Sequence, residues 1–195
     1  MFQSLFKKST LFAPLALIIF CTLIMVFDLN PLLQFDRAAI NEGQIYRLLS
    51  GNFSHSNGAH LLMNMAGVGA LWLLHGHFFT VRGYWLAVVS ISVGCTGLIY
   101  LFADNIDIYV GLSGTLHGLL VYGALRDIRS GEKTGYLLLL GVLVKVGYEQ
   151  FIGASADLET LIASRVAIEA HLFGVIGGVA LAALHWLKAS RSPVN

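Results

Sequence analysis

Val110-Gly111-Leu112-Ser113-Gly114-Thr115-Leu116-His117-Gly118-Leu119-Leu120-Val121-Tyr122-Gly123-Ala124-Leu125-Arg126 sets a serine between two glycines at the start of a strongly apolar segment. Crossing the hydrocarbon core of a bilayer takes roughly 20 apolar residues. Working outward from this stretch, five further segments have comparable length and apolarity, at about 11–28, 58–77, 83–103, 134–152 and 167–187. The chain of 195 residues is 56% hydrophobic and 12% charged, with a mean hydropathy of +0.74. That is far too apolar for a soluble domain with an ordinary surface. The expected fold is an all-α membrane protein, a six-transmembrane-helix bundle forming a single membrane domain over residues 1–195, with loops too short to hold a soluble domain.

Several classes are set aside on composition. A net charge of +1 and the lack of any basic stripe with interleaved aromatics argue against a nucleic-acid partner. Cys21 and Cys95 both fall in apolar spans without metal-ligand spacing, so they read as small packing residues. Lys7-Lys8 precede the first apolar stretch as a signal peptide's charged region would, but no small-x-small cleavage site follows, and the stretch is kept as a transmembrane anchor.

Orientation follows the distribution of Lys and Arg. Lys7, Lys8, Arg82, Arg126, Arg129, Lys133, Lys188 and Arg191 share one side under the six-span reading, against Arg37, Arg47 and Arg165 on the other. Both termini are therefore expected in the cytoplasm. Spans two, four and six then all run from outside to inside, so their first residues share one depth. At ~1.5 Å per residue, His60 and Asn64 of span two, Ser113 of span four and His171 of span six fall within about two turns of the outer boundary.

This convergence carries chemistry. A serine hydroxyl is a weak nucleophile until a base takes its proton, and a neutral imidazole is the usual base. Ser113 and His171 fit those roles. Gly111 and Gly114 let a substrate backbone or a neighbouring helix approach the hydroxyl. The start of a helix also presents unpaired N–H groups and a positive dipole end to a developing oxyanion, and Asn64, one turn after His60, adds a side-chain donor. Set against this, Gly-x-Ser-Gly lacks the later glycine of a hydrolase elbow, Thr115 standing there, and small-residue motifs in spans commonly serve only helix packing.

Tyr46-Arg47, His55, His60-Leu61-Leu62-Met63-Asn64-Met65, Gly111-Leu112-Ser113-Gly114 and Ala170-His171-Leu172-Phe173-Gly174, in this order, resemble the motif series of the rhomboid family of intramembrane serine proteases. The resemblance covers spans two to six. It implies Ser113 as nucleophile, His171 as general base, and His60 and Asn64 on the oxyanion side, with the N–H of Ser113 as a further donor. No carboxylate is expected to complete a triad, in keeping with the family's dyad, and no cofactor or metal is implied. His117 stands one turn after Ser113, where many rhomboids carry a tyrosine, and Ser113-Gly114-Thr115-Leu116-His117-Gly118 looks like the rhombosortase branch.

That branch implies a membrane-bound partner class: exported single-span proteins with a C-terminal Gly-Gly-containing motif, one transmembrane segment and a short basic tail. It also implies the bacterial inner (cytoplasmic) membrane, with the site opening toward the periplasm among the lipids. His117 either orients His171 through its ring or packs passively.

The remaining polar residues divide similarly. Lys145 and Glu149, four apart in span five, share a face as a structural ion pair or, near the depth of the dyad on the span that the rhomboid resemblance places beside the lateral route for substrate, act at that gate. Arg165 and Glu169 repeat the spacing as an interfacial pair; Glu169 lies two residues before His171, about 200° around the helix, and points away from it. His55 and the Tyr46-Arg47 pair order the loop of about 29–57, which lies in the interface. His75, His77 and His185 read as interfacial residues of the cytoplasmic ends. Two other classes stay open: an inactive rhomboid-like binding module, and a haem- or metal-handling membrane protein suggested by seven histidines.

Overall fold

A computed structural model describes residues 8–191; Lys7 of the basic pair, and the chain after Arg191, lie outside the described residues. Helix dominates. The long helices are α1 (Lys8–Val26), α5 (Gly58–His75), α6 (Val81–Phe102), α7 (Ser113–Arg129), α8 (Thr134–Ile152) and α10 (Ile168–Arg191), one at each apolar segment of the sequence. Between α1 and α5 run the short α2 (Asn30–Leu33), β1 (Phe35–Asp36), α3 (Arg37–Asn41) and α4 (Arg47–Ser50), then a 3-10 turn at Gly51–Phe53. β2 (Ile108–Tyr109) precedes α7, and α9 (Ala156–Ile162) lies between α8 and α10.

Among the described residues, three helices are long and apolar enough to cross a membrane: α6, α8 and the Ile168–Lys188 part of α10. The Thr10–Val26 part of α1 is a shorter apolar helix. α5 and α7 are more polar for a structural reason, since His60, Asn64 and His75 on α5 and Thr115 and Asp127 on α7 are all buried inside the bundle. Apolar side chains cover the outside instead, Leu137, Leu140, Val144 and Phe151 of α8 among them. This arrangement suits a hydrocarbon surround.

Helix ends are set locally. Asn57 caps α5 by accepting from the His60 N–H at 2.8 Å, and Thr80 caps α6 by accepting from the Gly83 N–H at 3.0 Å. That cap starts α6 two residues earlier than the sequence suggested.

The fold is not purely helical. β1 and β2 pair antiparallel, Phe35 with Tyr109 and Asp36 with Ile108. Beside them Arg37 donates to four carbonyls, those of Tyr100 (2.7 Å), Ala103 (2.8 Å), Ile99 (3.1 Å) and Ile106 (3.1 Å). One guanidinium thus satisfies the orphan carbonyls at the end of α6 and fastens the 29–57 segment there. Arg47, buried, does the same within that segment, donating to the Pro31 and Gln34 carbonyls and to Gln44 Oε1. Tyr46 Oη donates to the Leu32 carbonyl at 3.1 Å.

α7 is the central helix, packed on α10, α8, α6 and α5. Its contact with α10 is made by glycines. A Cβ on Gly114 would lie 2.8 Å from the Ala170 carbonyl oxygen, one on Gly118 2.6 Å from that of Gly174, and those on Gly174 and Gly178 would run into the carbonyls of Gly114 and Gly118. Four glycines at four-residue spacing on two helices bring the backbones into contact, the small-residue packing used where no apolar solvent contrast drives helices together.

Candidate active site

Ser113 is the first residue of α7, and no side chain caps that end. The backbone N–H groups of its first turn therefore remain available, with the dipole's positive end behind them. Gly111 turns the chain into this position at φ +116°, a conformation other residues adopt with strain, and a Cβ there would sit 2.6 Å from His60 Nε2. Tyr109 Oη donates to the Gly111 carbonyl at 2.6 Å and holds the turn.

The glycine crossing carries His171 to the serine. His171 Nε2 lies 3.0 Å from Ser113 Oγ. On the other side of the ring, Nδ1 lies 2.8 Å from Glu149 Oε2, and His171 as a residue is 5% exposed. A bare Nδ1 lone pair facing a carboxylate oxygen at that distance is repulsive, so Nδ1 carries the proton and Nε2 accepts from the serine. The tautomer is the one a general base needs.

Lys145 joins the same group. Its Nζ is 2.9 Å from both Glu149 carboxylate oxygens, 2.9 Å from His117 Nε2 and 3.1 Å from His171 Nδ1. The His117 ring stacks on the His171 ring with centroids 4.2 Å apart, and its Nδ1 donates to the Ser113 carbonyl at 2.7 Å. The bonds form a closed circuit: Ser113 Oγ to His171, His171 to Glu149, Lys145 to Glu149 and to His117, His117 back to the Ser113 carbonyl.

The expectation that no carboxylate completes a triad is corrected here. Glu149 occupies the third position behind His171. The sequence spacing showed the Lys145–Glu149 pair and its depth but not which neighbouring helix it faced. Glu169, by contrast, is turned aside as expected, taking a hydrogen bond from Asn105 and pairing with Arg165 at 3.5 Å.

His60 and Asn64 face the same space. Ser56 Oγ has one proton and gives it to the Ile162 carbonyl at 2.5 Å, so its 2.9 Å contact with His60 Nδ1 is a bond donated by the imidazole. His60 Nε2, beside Gly111, is then an acceptor. Asn64 Nδ2 bonds the His60 carbonyl at 3.2 Å and keeps its second N–H. Of the two side chains, Asn64 is the ready donor for an oxyanion.

A cavity of about 480 Å³ unites these groups, lined by His60, Asn64, Ser113, His117, Lys145 and His171. Apolar side chains make the rest, from Met63 and Leu71 on α5 to Leu116 and Leu120 on α7. Leu158, Ile162 and Val166 close it from the α9 side, where Ser56 and Asn57 bond the Ile162 and Leu161 carbonyls. Gly114 is spent on the α10 contact and does not line it.

The other histidines sit apart. His55 is fully buried behind His60, ring centroids 5.1 Å apart, and its backbone is tied to Asn30. Burial, reinforced by the His60 ring, holds the His55 pKa down to about 3. His75, at the end of α5, is buried: it is 1% exposed, bonded to Asp127 at 3.1 Å and packed against Gly123. A hydrogen-bonding partner 52 residues away in sequence allows burial that its place at a span end concealed. Cys21 and Cys95 are free and buried, as packing residues. Sequence reasoning also missed the packing role of Gly118, Gly174 and Gly178, although the four-residue spacings Gly114–Gly118 and Gly174–Gly178 were a readable signal.

The family model described as Rhomboid domain matches residues 42–188. No curated protein matches the chain.

Proposed function

The chain belongs to the rhomboid family, and from that premise we propose that it is an intramembrane serine endopeptidase in which Ser113 and His171 form the catalytic pair. The observation that carries this reading is the 3.0 Å contact between Ser113 Oγ and an acceptor Nε2 of His171, at the wall of a cavity in a membrane-embedded helical protein.

The chemistry follows from the bonds. His171 Nε2 takes the hydroxyl proton as Ser113 Oγ attacks the scissile carbonyl carbon. The oxygen becomes an oxyanion facing the Ser113 N–H and the Asn64 amide. The C–N bond then breaks, the leaving nitrogen takes the proton from His171 Nε2, and an acyl-enzyme remains on Oγ. Water attacks that ester with His171 again as base, restoring Ser113 and releasing the new carboxylate.

The substrate reading is narrower: exported proteins bearing a C-terminal Gly-Gly motif, a single span and a basic tail. Its support is His117 in place of the aromatic residue expected one turn after the nucleophile, as in the rhombosortase branch. Glycines at a span boundary suit the site, since each costs a helix about 1 kcal/mol and lets a carbonyl leave its helical bond. On this reading all six long helices cross the bacterial inner membrane, both termini are cytoplasmic, and the cavity opens toward the periplasm.

The test is cleavage of a model exported protein with such a tail, by the intact enzyme and by Ser113→Ala in the same membranes. Loss of cleavage in the variant alone is the expected result. A tail bound but uncut by the intact protein would favour an inactive binding module, and stoichiometric haem or metal in the purified protein would favour the third class.

A further inference from the structure

We infer that Glu149 is a positioning residue for His171, and that it works by keeping Lys145 from donating to the imidazole. The inference rests on the peptidase reading above and extends it from a pair to a supported triad.

Lys145 lies 3.1 Å from His171 Nδ1, close enough to donate to it. If it did, Nδ1 would be an acceptor, the ring proton would sit on Nε2, and Nε2 would have no lone pair for the Ser113 proton. The base would be off. Glu149 prevents this in two ways. Its Oε2, at 2.8 Å, demands the proton on Nδ1. Its two oxygens, each 2.9 Å from Nζ, also occupy the ammonium.

His117 completes the restraint. Its Nδ1 is committed as donor to the Ser113 carbonyl, so its Nε2 can only accept, and it takes a second Lys145 proton at 2.9 Å. With both of those bonds made, the ammonium is satisfied without the catalytic ring. The same His117 bond pins the first turn of α7, which sets where Oγ stands. Glu149 is 7% exposed and its charge is matched by Lys145 throughout, as a carboxylate at this depth requires.

A carboxamide at this position inverts the logic. In Glu149→Gln, the amide oxygen turns to Lys145 and the amide N–H donates to His171 Nδ1, forcing the wrong tautomer. Removing the competing cation as well frees the amide oxygen to accept from Nδ1–H. A residue that merely filled space would show no such rescue.

The experiment measures kcat and KM of purified full-length enzyme in detergent, with a fluorogenic peptide carrying the Gly-Gly boundary, for the wild type, Glu149→Gln, Glu149→Asp and Glu149→Gln with Lys145→Met. Expected are a loss in kcat on the order of 10³-fold for Glu149→Gln with KM within about threefold, partial recovery in Glu149→Asp, and at least about tenfold recovery in the double variant. A Glu149→Gln kcat within about threefold of wild type, or a loss confined to KM, overturns the inference.

The ¹⁵N chemical shifts of the His171 ring in the wild type decide independently of folding of the variants and of any substrate. A protonated Nδ1 with a bare Nε2 supports the inference, and the reverse overturns it. If the wild type cuts no substrate, the peptidase reading fails while this readout still stands.

Discussion

Glu149 Oε2 lies 2.8 Å from His171 Nδ1 across the contact between α8 and α10, while Nε2 of the same ring lies 3.0 Å from Ser113 Oγ on α7. Three helices therefore meet at one imidazole. The circuit closes through Lys145 and His117 onto the backbone of the serine itself, so the proposed nucleophile, its proposed base and the carboxylate behind it are one hydrogen-bonded unit. Deletions within such a unit are not additive.

Asn64 is the side-chain donor the bonding leaves free for the oxyanion. Asn64→Ala should lower kcat by about 10²-fold to 10³-fold with little change in KM. Steady-state kinetics on a tail peptide checks this, and a loss carried by KM would assign Asn64 to substrate binding instead.

The α7–α10 crossing sets the serine–histidine distance. Gly174→Ala should cost about 1–3 kcal/mol of stability through overpacking against the Gly114 carbonyl, with a matching fall in kcat. Gly69→Ala on α5, with nothing within 4 Å of the new Cβ, is the control and should be neutral or slightly stabilising. Thermal unfolding in detergent compares the two.

His55 ties stability to pH. Its folded pKa is about 3, below the ordinary histidine value of 6.5, so between those values the unfolded chain binds a proton that the folded one does not. Stability from this residue is complete above about pH 6.5 and is lost as pH falls toward 3, by up to about 1.4 kcal/mol per pH unit. His55→Phe should flatten the pH dependence of Tm across that window; an unchanged slope would assign it to other groups.

Much of this fold was legible because apolarity is written locally. A helix stands at each of the six apolar segments; α5 starts at the expected Gly58, where Asn57 caps it, and α6 starts two residues early, where Thr80 supplies the cap. The convergence of His60, Asn64, Ser113 and His171 was legible from depth along alternating segments. What depends on distant pairing was not. Arg37 capping α6, the Phe35–Tyr109 strand pair and the His75–Asp127 bond each join residues 50 or more apart in sequence, and no local pattern announces them. Glu149 is the sharpest case: its partner Lys145 was visible one turn away, whereas its bond to His171 needs the angle at which α8 meets α10.

Activation of Ser113 by His171 is tested by the mass of the Ser113 peptide after the purified protein meets a fluorophosphonate. A covalent adduct on Ser113 is expected, absent from Ser113→Ala and reduced at least about 10²-fold in rate in His171→Ala. An unmodified Ser113 in the intact protein, or a modification rate unchanged in His171→Ala, would contradict it.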